Sequence, residues 1–149
     1  MTAFLAASRP ELGLLLHIGG AAVFFGAVTL SAVTQLTAIR APEPDVLRRV
    51  AFRTLLLVGL PAYIVFRIAA EWLYSAEGYG DNGQDDPTWI GIGYIISDVG
   101  ALLFLISLIL AGIATRKRTG WLTKTSGVLS AIIVVALVIA IWAMGAKPT

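Results

Sequence analysis

Four ionisable side chains, His17, Arg67, Glu71 and Asp98, stand inside or at the edges of long apolar runs in this chain of 149 residues. A charge is costly in such a run, so each marks a candidate functional position. Spacing adds detail. Tyr63, Arg67 and Glu71 follow one another at four-residue steps, as do Tyr94 and Asp98, and residues four apart share one helix face. Arginine does not readily lose its proton, so Arg67 needs carboxylate or carbonyl partners, and Glu71 and Asp98 are the natural ones. His17 can then donate to a carboxylate or exchange a proton near neutral pH.

Three chemistries fit these six residues. The leading one is a buried network of ion pairs and hydrogen bonds that fixes helix register. The second is a polar site for a small ligand, an ion or a proton. The third is a haem or quinone redox site, ranked last because one histidine per chain supplies one axial ligand and a bis-His haem needs two chains. No cofactor is expected, and haem is disfavoured. A metal is disfavoured too: one His and two acids make a thin ligand set, Arg67 repels a cation, and with Cys 0 there is no thiolate. The run Asp81-Asn82-Gly83-Gln84-Asp85-Asp86 lacks the spacing and terminal Glu of a calcium loop and reads as a solvated turn. No nucleophile elbow or Ser-His-Asp set is present, so no residue pattern names an enzyme.

The elements that must position these residues follow from composition. At 58% hydrophobic, 13% charged and a mean hydropathy of +0.85 the chain cannot make a water-soluble surface. It reads as a single all-α domain, a polytopic four-helix transmembrane bundle. About 20 apolar residues cross a bilayer, which predicts helices over about 12–39, 54–74, 89–115 and 125–144. Arg40, Arg48, Arg49 and Arg53 crowd the first connection, and Arg116, Lys117, Arg118 and Lys124 the third; the second, 75–88, is purely acidic. Loops 40–53 and 116–124 are therefore expected to be cytoplasmic, with the acidic loop and both termini outside a cell membrane. The net charge of +2 reflects this bias and not nucleic acid binding. Counted inward from the outer ends at about 1.5 Å per residue, His17 lies ~8 Å deep, Arg67 ~10 Å and Asp98 ~13 Å, a shared depth on three helices.

Trp72, Tyr74, Trp89, Trp121 and Trp142 fall near helix ends, where aromatic rings anchor a span at the headgroups. Pro61 lies inside the second span and withdraws a hydrogen bond from the Leu57 carbonyl, which predicts a kink. Small residues at four-residue spacing (Ala22 and Gly26; Gly93, Ser97 and Ala101; Gly127 and Ala131) predict close helix approaches within the bundle or in a homo-oligomer.

The first span, Leu16-His17-Ile18-Gly19-Gly20-Ala21-Ala22-Val23-Phe24-Phe25-Gly26-Ala27, resembles the opening helix of small bacterial integral membrane proteins of the DUF2269 type and their copper-resistance CopD-like relatives, which begin with a His, a small-residue stretch and an aromatic-x-Gly. Where those proteins often place Trp before the Gly, this chain has Phe24 and Phe25, and it offers no Met or Cys cluster for copper. The resemblance implies a small membrane family rather than copper transport, and it carries over His17 and Gly26 as positions of interest. The expected function is accordingly an accessory or interaction bundle in the lipid bilayer, alone, as a homo-oligomer or in a larger membrane complex. A transporter or channel using the polar cluster is the alternative.

The charge asymmetry makes a direct prediction in a chain without cysteine. Single cysteines at Asn82 and Lys117 should react with an impermeant thiol reagent from outside and from inside respectively. Labelling of Lys117→Cys from outside intact cells would reverse the orientation.

Overall fold

The computed structural model describes residues 9–79 and 87–147. The acidic residues Asp81, Asp85 and Asp86 lie outside the described part. Helix α1 (Arg9–Ala38) is followed by α2 (Pro44–Thr54), a π-helical turn (Leu55–Gly59) and α3 (Leu60–Ala76), then by α4 (Thr88–Lys117) and α5 (Gly120–Ala146). The backbone stays right-handed helical through Thr54, Leu55, Gly59 and Leu60, so α2, the π turn and α3 form one rod. Four rods are long and apolar enough to cross a membrane. The protein is an all-α, four-helix membrane bundle.

Two boundaries differ from the sequence expectation, for one reason. The second rod begins at Pro44 and not near residue 54, and α5 begins at Gly120 and not near 125. Both extensions carry charges, which lower hydropathy without breaking helical periodicity. In α2, Arg48, Ala51 and Leu55 recur at helical spacing on the buried face while Arg49 and Arg53 point outward. The expected loop 40–53 therefore shrinks to the few residues before Pro44, which opens α2 from the first turn that proline favours. Between α4 and α5 the connection is Arg118, in the left-handed region at φ 53°, and the extended Thr119. So short a link makes the two helices an antiparallel hairpin.

The kink expected at Pro61 takes the form of the π turn. Pro61 has no N–H to give, and just ahead of it the Leu60 N–H reaches back five residues to the Leu55 carbonyl. The wider turn absorbs the irregularity that proline introduces.

Helix α1 packs along the second rod on one side and α5 on the other, and α4 packs chiefly on α5 and on α2. The core is aromatic. Phe24 of α1 meets Phe104 of α4 edge to face at 5.1 Å, with Tyr63 and Phe66 of α3 at 5.4 and 6.0 Å from Phe24. Leu55, Val28 and Ile133 close this cluster. Outward faces such as Leu15, Ile68, Leu102 and Ile132 are apolar as well, as lipid-facing positions require.

Helix α1 approaches α3 closely at a glycine. A Cβ added to Gly20 would lie 2.9 Å from the Phe66 Cβ and 3.0 Å from its backbone nitrogen. Gly127 has the same role between α5 and α1, 3.1 Å from the Gln35 Cβ. Within the bundle the small face expected of the first span makes no close approach: Ala22 and Gly26 point outward, and nothing lies within 4 Å of a Cβ at Gly26. Contact follows the face that carries Gly20, Phe24, Ala27 and Val28. Overpacking a tight contact costs about 1–3 kcal/mol, so Gly20→Val should lower the thermal unfolding midpoint in detergent, while Gly26→Val leaves it unchanged.

Candidate functional site

The two ends of the bundle differ in charge. At one end, where α1 and α4 finish and α2 and α5 begin, lie eight of the eleven basic residues; the other holds Glu71, Glu77 and Asp98. At this acidic end α1 and α4 begin and α3 and α5 finish. Helices α3 and α4 scarcely approach each other. The gap is a cleft of about 290 Å³ with His17 on the α1 side, Phe66, Arg67 and Tyr74 on α3, Trp89 and Tyr94 on α4, and Lys147 at the end of α5.

Arg67 ties the cleft walls together. Its Nη1 is 2.9 Å from Oε1 of Glu71, one turn along α3, and its Nη2 is 3.2 Å from Oδ1 of Asp98 on α4. The guanidinium carbon stands 4.9 Å from the centre of the Tyr94 ring, and the Tyr94 hydroxyl donates to Oε2 of Glu71 at 3.2 Å. The four-residue steps read from the sequence thus become a closed set across α3 and α4. One part of the expectation is corrected. The network is not buried, because the Glu71 and Asp98 side chains are 50% and 64% exposed. Since α3 and α4 diverge, the charges that bridge them stand in the mouth of the gap. Asp98 falls on the outward stripe of Ile95, Val99 and Leu102, where an unpaired carboxylate is costly.

His17 does not reach a carboxylate. Its Nδ1 lies 3.2 Å from the Phe66 carbonyl, which only accepts, so Nδ1 carries the proton and Nε2 is left for another partner. The ring packs at 5.6 Å from that of Phe66. Tyr63 sits beneath the cleft in the aromatic core, its hydroxyl donating to the Ser97 carbonyl at 3.4 Å. Of the six candidates, Arg67, Glu71, Tyr94 and Asp98 come together, His17 stands on the opposite wall, and Tyr63 forms part of the floor.

Other cleft residues read from the sequence as membrane anchors. Trp72, Trp121 and Trp142 face outward as membrane anchors should, but Trp89 lines the cleft. There it meets Tyr79 edge to face at 6.3 Å and the Lys147 ammonium at 5.4 Å. Tyr74 joins Tyr79 and Tyr94 at 5.8 and 5.5 Å. Their clustering near helix ends was the available signal, and it reads equally as an anchoring belt.

A second polar set, in the other half of the bundle, was missed. Arg48 is buried and donates through Nε to the Thr123 hydroxyl at 2.9 Å and through Nη1 to Asp45 at 3.0 Å; Arg118 holds the second Asp45 oxygen at 3.2 Å. Deeper in, the Ser107 hydroxyl meets those of Ser126 and Ser130 at 3.0 and 2.9 Å, and Gln35 donates to Ser31 at 2.8 Å. Apart from Gln35–Ser31, which lies within α1, the Arg48–Thr123 and serine contacts join helices. Among the described residues no three metal-ligating side chains come together.

The fold and this geometry define a class: a small polytopic membrane protein with a ligand-sized aromatic cleft at one end. Compared with known proteins, no family model matches the chain, and no curated protein or solved structure matches it.

If Arg67 holds α3 to α4, Arg67→Leu strands two carboxylates beside lipid and should cost on the order of 1–3 kcal/mol. Asp98→Asn in the same background should recover part of the loss. Thermal melts in detergent read both, and a wild-type melt for Arg67→Leu would deny the ion pairs any structural weight.

Proposed function

We propose that this protein is a cell-membrane protein that takes a small amphipathic molecule into the cleft at its acidic end, as the binding step of a carrier. The observation that carries this reading is the cleft itself. It combines apolar and aromatic walls with a few convergent polar groups, the usual composition of a small-molecule site. Two side chains of the lining carry a polar atom without a partner of its own. His17 keeps Nε2 free once Nδ1 is bonded, and the buried Ser97 hydroxyl, on a cleft-lining residue, has no hydrogen-bond partner among the described residues.

Beneath the cleft, Phe24, Tyr63, Phe66 and Phe104 form an aromatic floor, and beyond it lie the serines and Gln35. A cavity closed by rings above a polar region is the arrangement a carrier needs while open to one side. With the basic end cytoplasmic, that side is the outside. No step of this reading requires a reaction or a cofactor.

A second reading has its own observation. Gly19 and Gly26 offer open space on the outer face of α1, which suits a second helix and hence an accessory bundle or homo-oligomer.

Ala70 lines the cleft and Ile68 faces outward on the same helix. Protein purified from its own membrane should carry a small amphipathic molecule detectable by native mass spectrometry. Ala70→Trp, which fills the cleft, should lose it, and Ile68→Trp should keep it. Equal loading of wild type and Ala70→Trp would overturn the cleft as a binding site.

A further inference from the structure

Resting on the cleft as a binding site, we propose that its occupant is a monovalent organic cation with an apolar body, seated on the face of Trp89 in place of Lys147. Two aromatic faces of the cleft already carry a cation. The Arg67 guanidinium stands 4.9 Å from the Tyr94 centroid and the Lys147 ammonium 5.4 Å from that of Trp89. Ring quadrupoles attract positive charge to their faces, tryptophan most strongly, so these pairs show which sign of charge the walls favour.

The two cations are held differently. Arg67 is fixed by Glu71 and Asp98 at 2.9 and 3.2 Å, so its charge is already matched. Lys147 has no carboxylate within ion-pair reach among the described residues, and it sits one residue past α5 in the left-handed region at φ 45°. It is the displaceable one. Its long, flexible stem reaches the ring as a tethered stand-in for a ligand. Removing its ammonium would leave Trp89 braced by the edge of Tyr79, with Glu77 also on the cleft wall.

The charge balance agrees. Arg67 is matched by Glu71 and Asp98 beside the cleft, and of the other charged lining residues Glu77 stands against Lys147, so these five groups hold one acid in excess. The last turns of α3 and α5 end beside it at Leu73, Tyr74 and Met144, and helix C-termini carry partial negative charge. An anion would have to draw Arg67 from two carboxylates or Lys147 from its ring. A cation has only to replace Lys147. About 290 Å³ holds one ring and a quaternary ammonium head.

The test uses three probes of similar size: phenyltrimethylammonium, its neutral isostere tert-butylbenzene, and benzenesulfonate. Each is titrated by calorimetry into the full protein in lipid nanodiscs, with Ala70→Trp as the filled-cleft reference for partitioning into lipid. Phenyltrimethylammonium should bind about tenfold tighter than either of the others. Lys147→Met should tighten it by about three- to fivefold by removing the competitor, and Trp89→Leu should weaken it by a similar factor or more, the scale of a single cation–π contact. Trp89→Phe, which keeps a ring, should lie between, and circular dichroism melts check that every variant folds. Tighter binding of benzenesulfonate that is lost in Lys147→Met, or equal binding of the neutral isostere, with either signal absent in Ala70→Trp, overturns the cation and leaves the cleft standing. If all three probes give the same heats with wild type and Ala70→Trp, the cleft reading falls and the cation with it.

Discussion

Phe66 is where the bundle is drawn tight. Gly20 lets its backbone within touching distance of α1, its carbonyl accepts a hydrogen bond from His17 Nδ1, and its ring meets Phe24. Each of these contacts pulls α3 toward α1. In lipid no hydrophobic force gathers helices, so close van der Waals approach and internal hydrogen bonds decide which pairs form. Because α3 spends its contact face on α1, it stands away from α4, and the gap that results is the cleft. The same residue supplies part of that cleft's wall. Packing on one side of Phe66 and vacancy on the other are thus consequences of one contact.

The gap then sets the chemistry at its rim. Only long side chains cross it, and those that do are an arginine, two acids and tyrosines. A surface ion pair in water is worth little, but at a membrane mouth it also keeps Asp98 from presenting a bare charge on an outward apolar stripe. Arg67 has three roles there: it neutralises, it bridges two helices, and it lies over the Tyr94 ring. This density of roles follows from the five donors and planar charge of a guanidinium.

Much of this was legible in the sequence, and the parts that were not share a physical cause. Apolar length gave four spans, and the steps from Tyr63 to Arg67 to Glu71 and from Tyr94 to Asp98 placed partners on facing helices. Hydropathy, however, reads charge as the end of a span, so it lost Arg48, which sits on a buried helical face with its partners Asp45 and Thr123. Side-chain direction is the other blind spot. Trp89 and Trp142 occupy similar places near helix ends, and only the packing of α4 against α5 turns one into the cleft and the other outward. Gly20 and Gly26 are equally small. Which of them faces α3 depends on rotation of α1, fixed by Phe24 and Val28 rather than by a glycine count.

The second rod is latched to the α4–α5 hairpin at both ends by an arginine. Arg48 and Arg67 are nineteen positions apart, roughly 28 Å along a helix, close to the thickness of a hydrocarbon core. Each is tied to an acid on its own rod, Asp45 or Glu71, and to a group on the hairpin, Thr123 or Asp98. The two latches differ in what joins the helices beside them. At the basic end the hairpin turns through Arg118 and Thr119, and Arg118 itself closes on Asp45, so that latch is shut over the buried Arg48. At the acidic end the chain from Ala76 to Thr88 is long enough to let α3 and α4 part. Chain connectivity therefore lets α3 and α4 part at the acidic end, and the aromatic residues that line the cleft are gathered at that end.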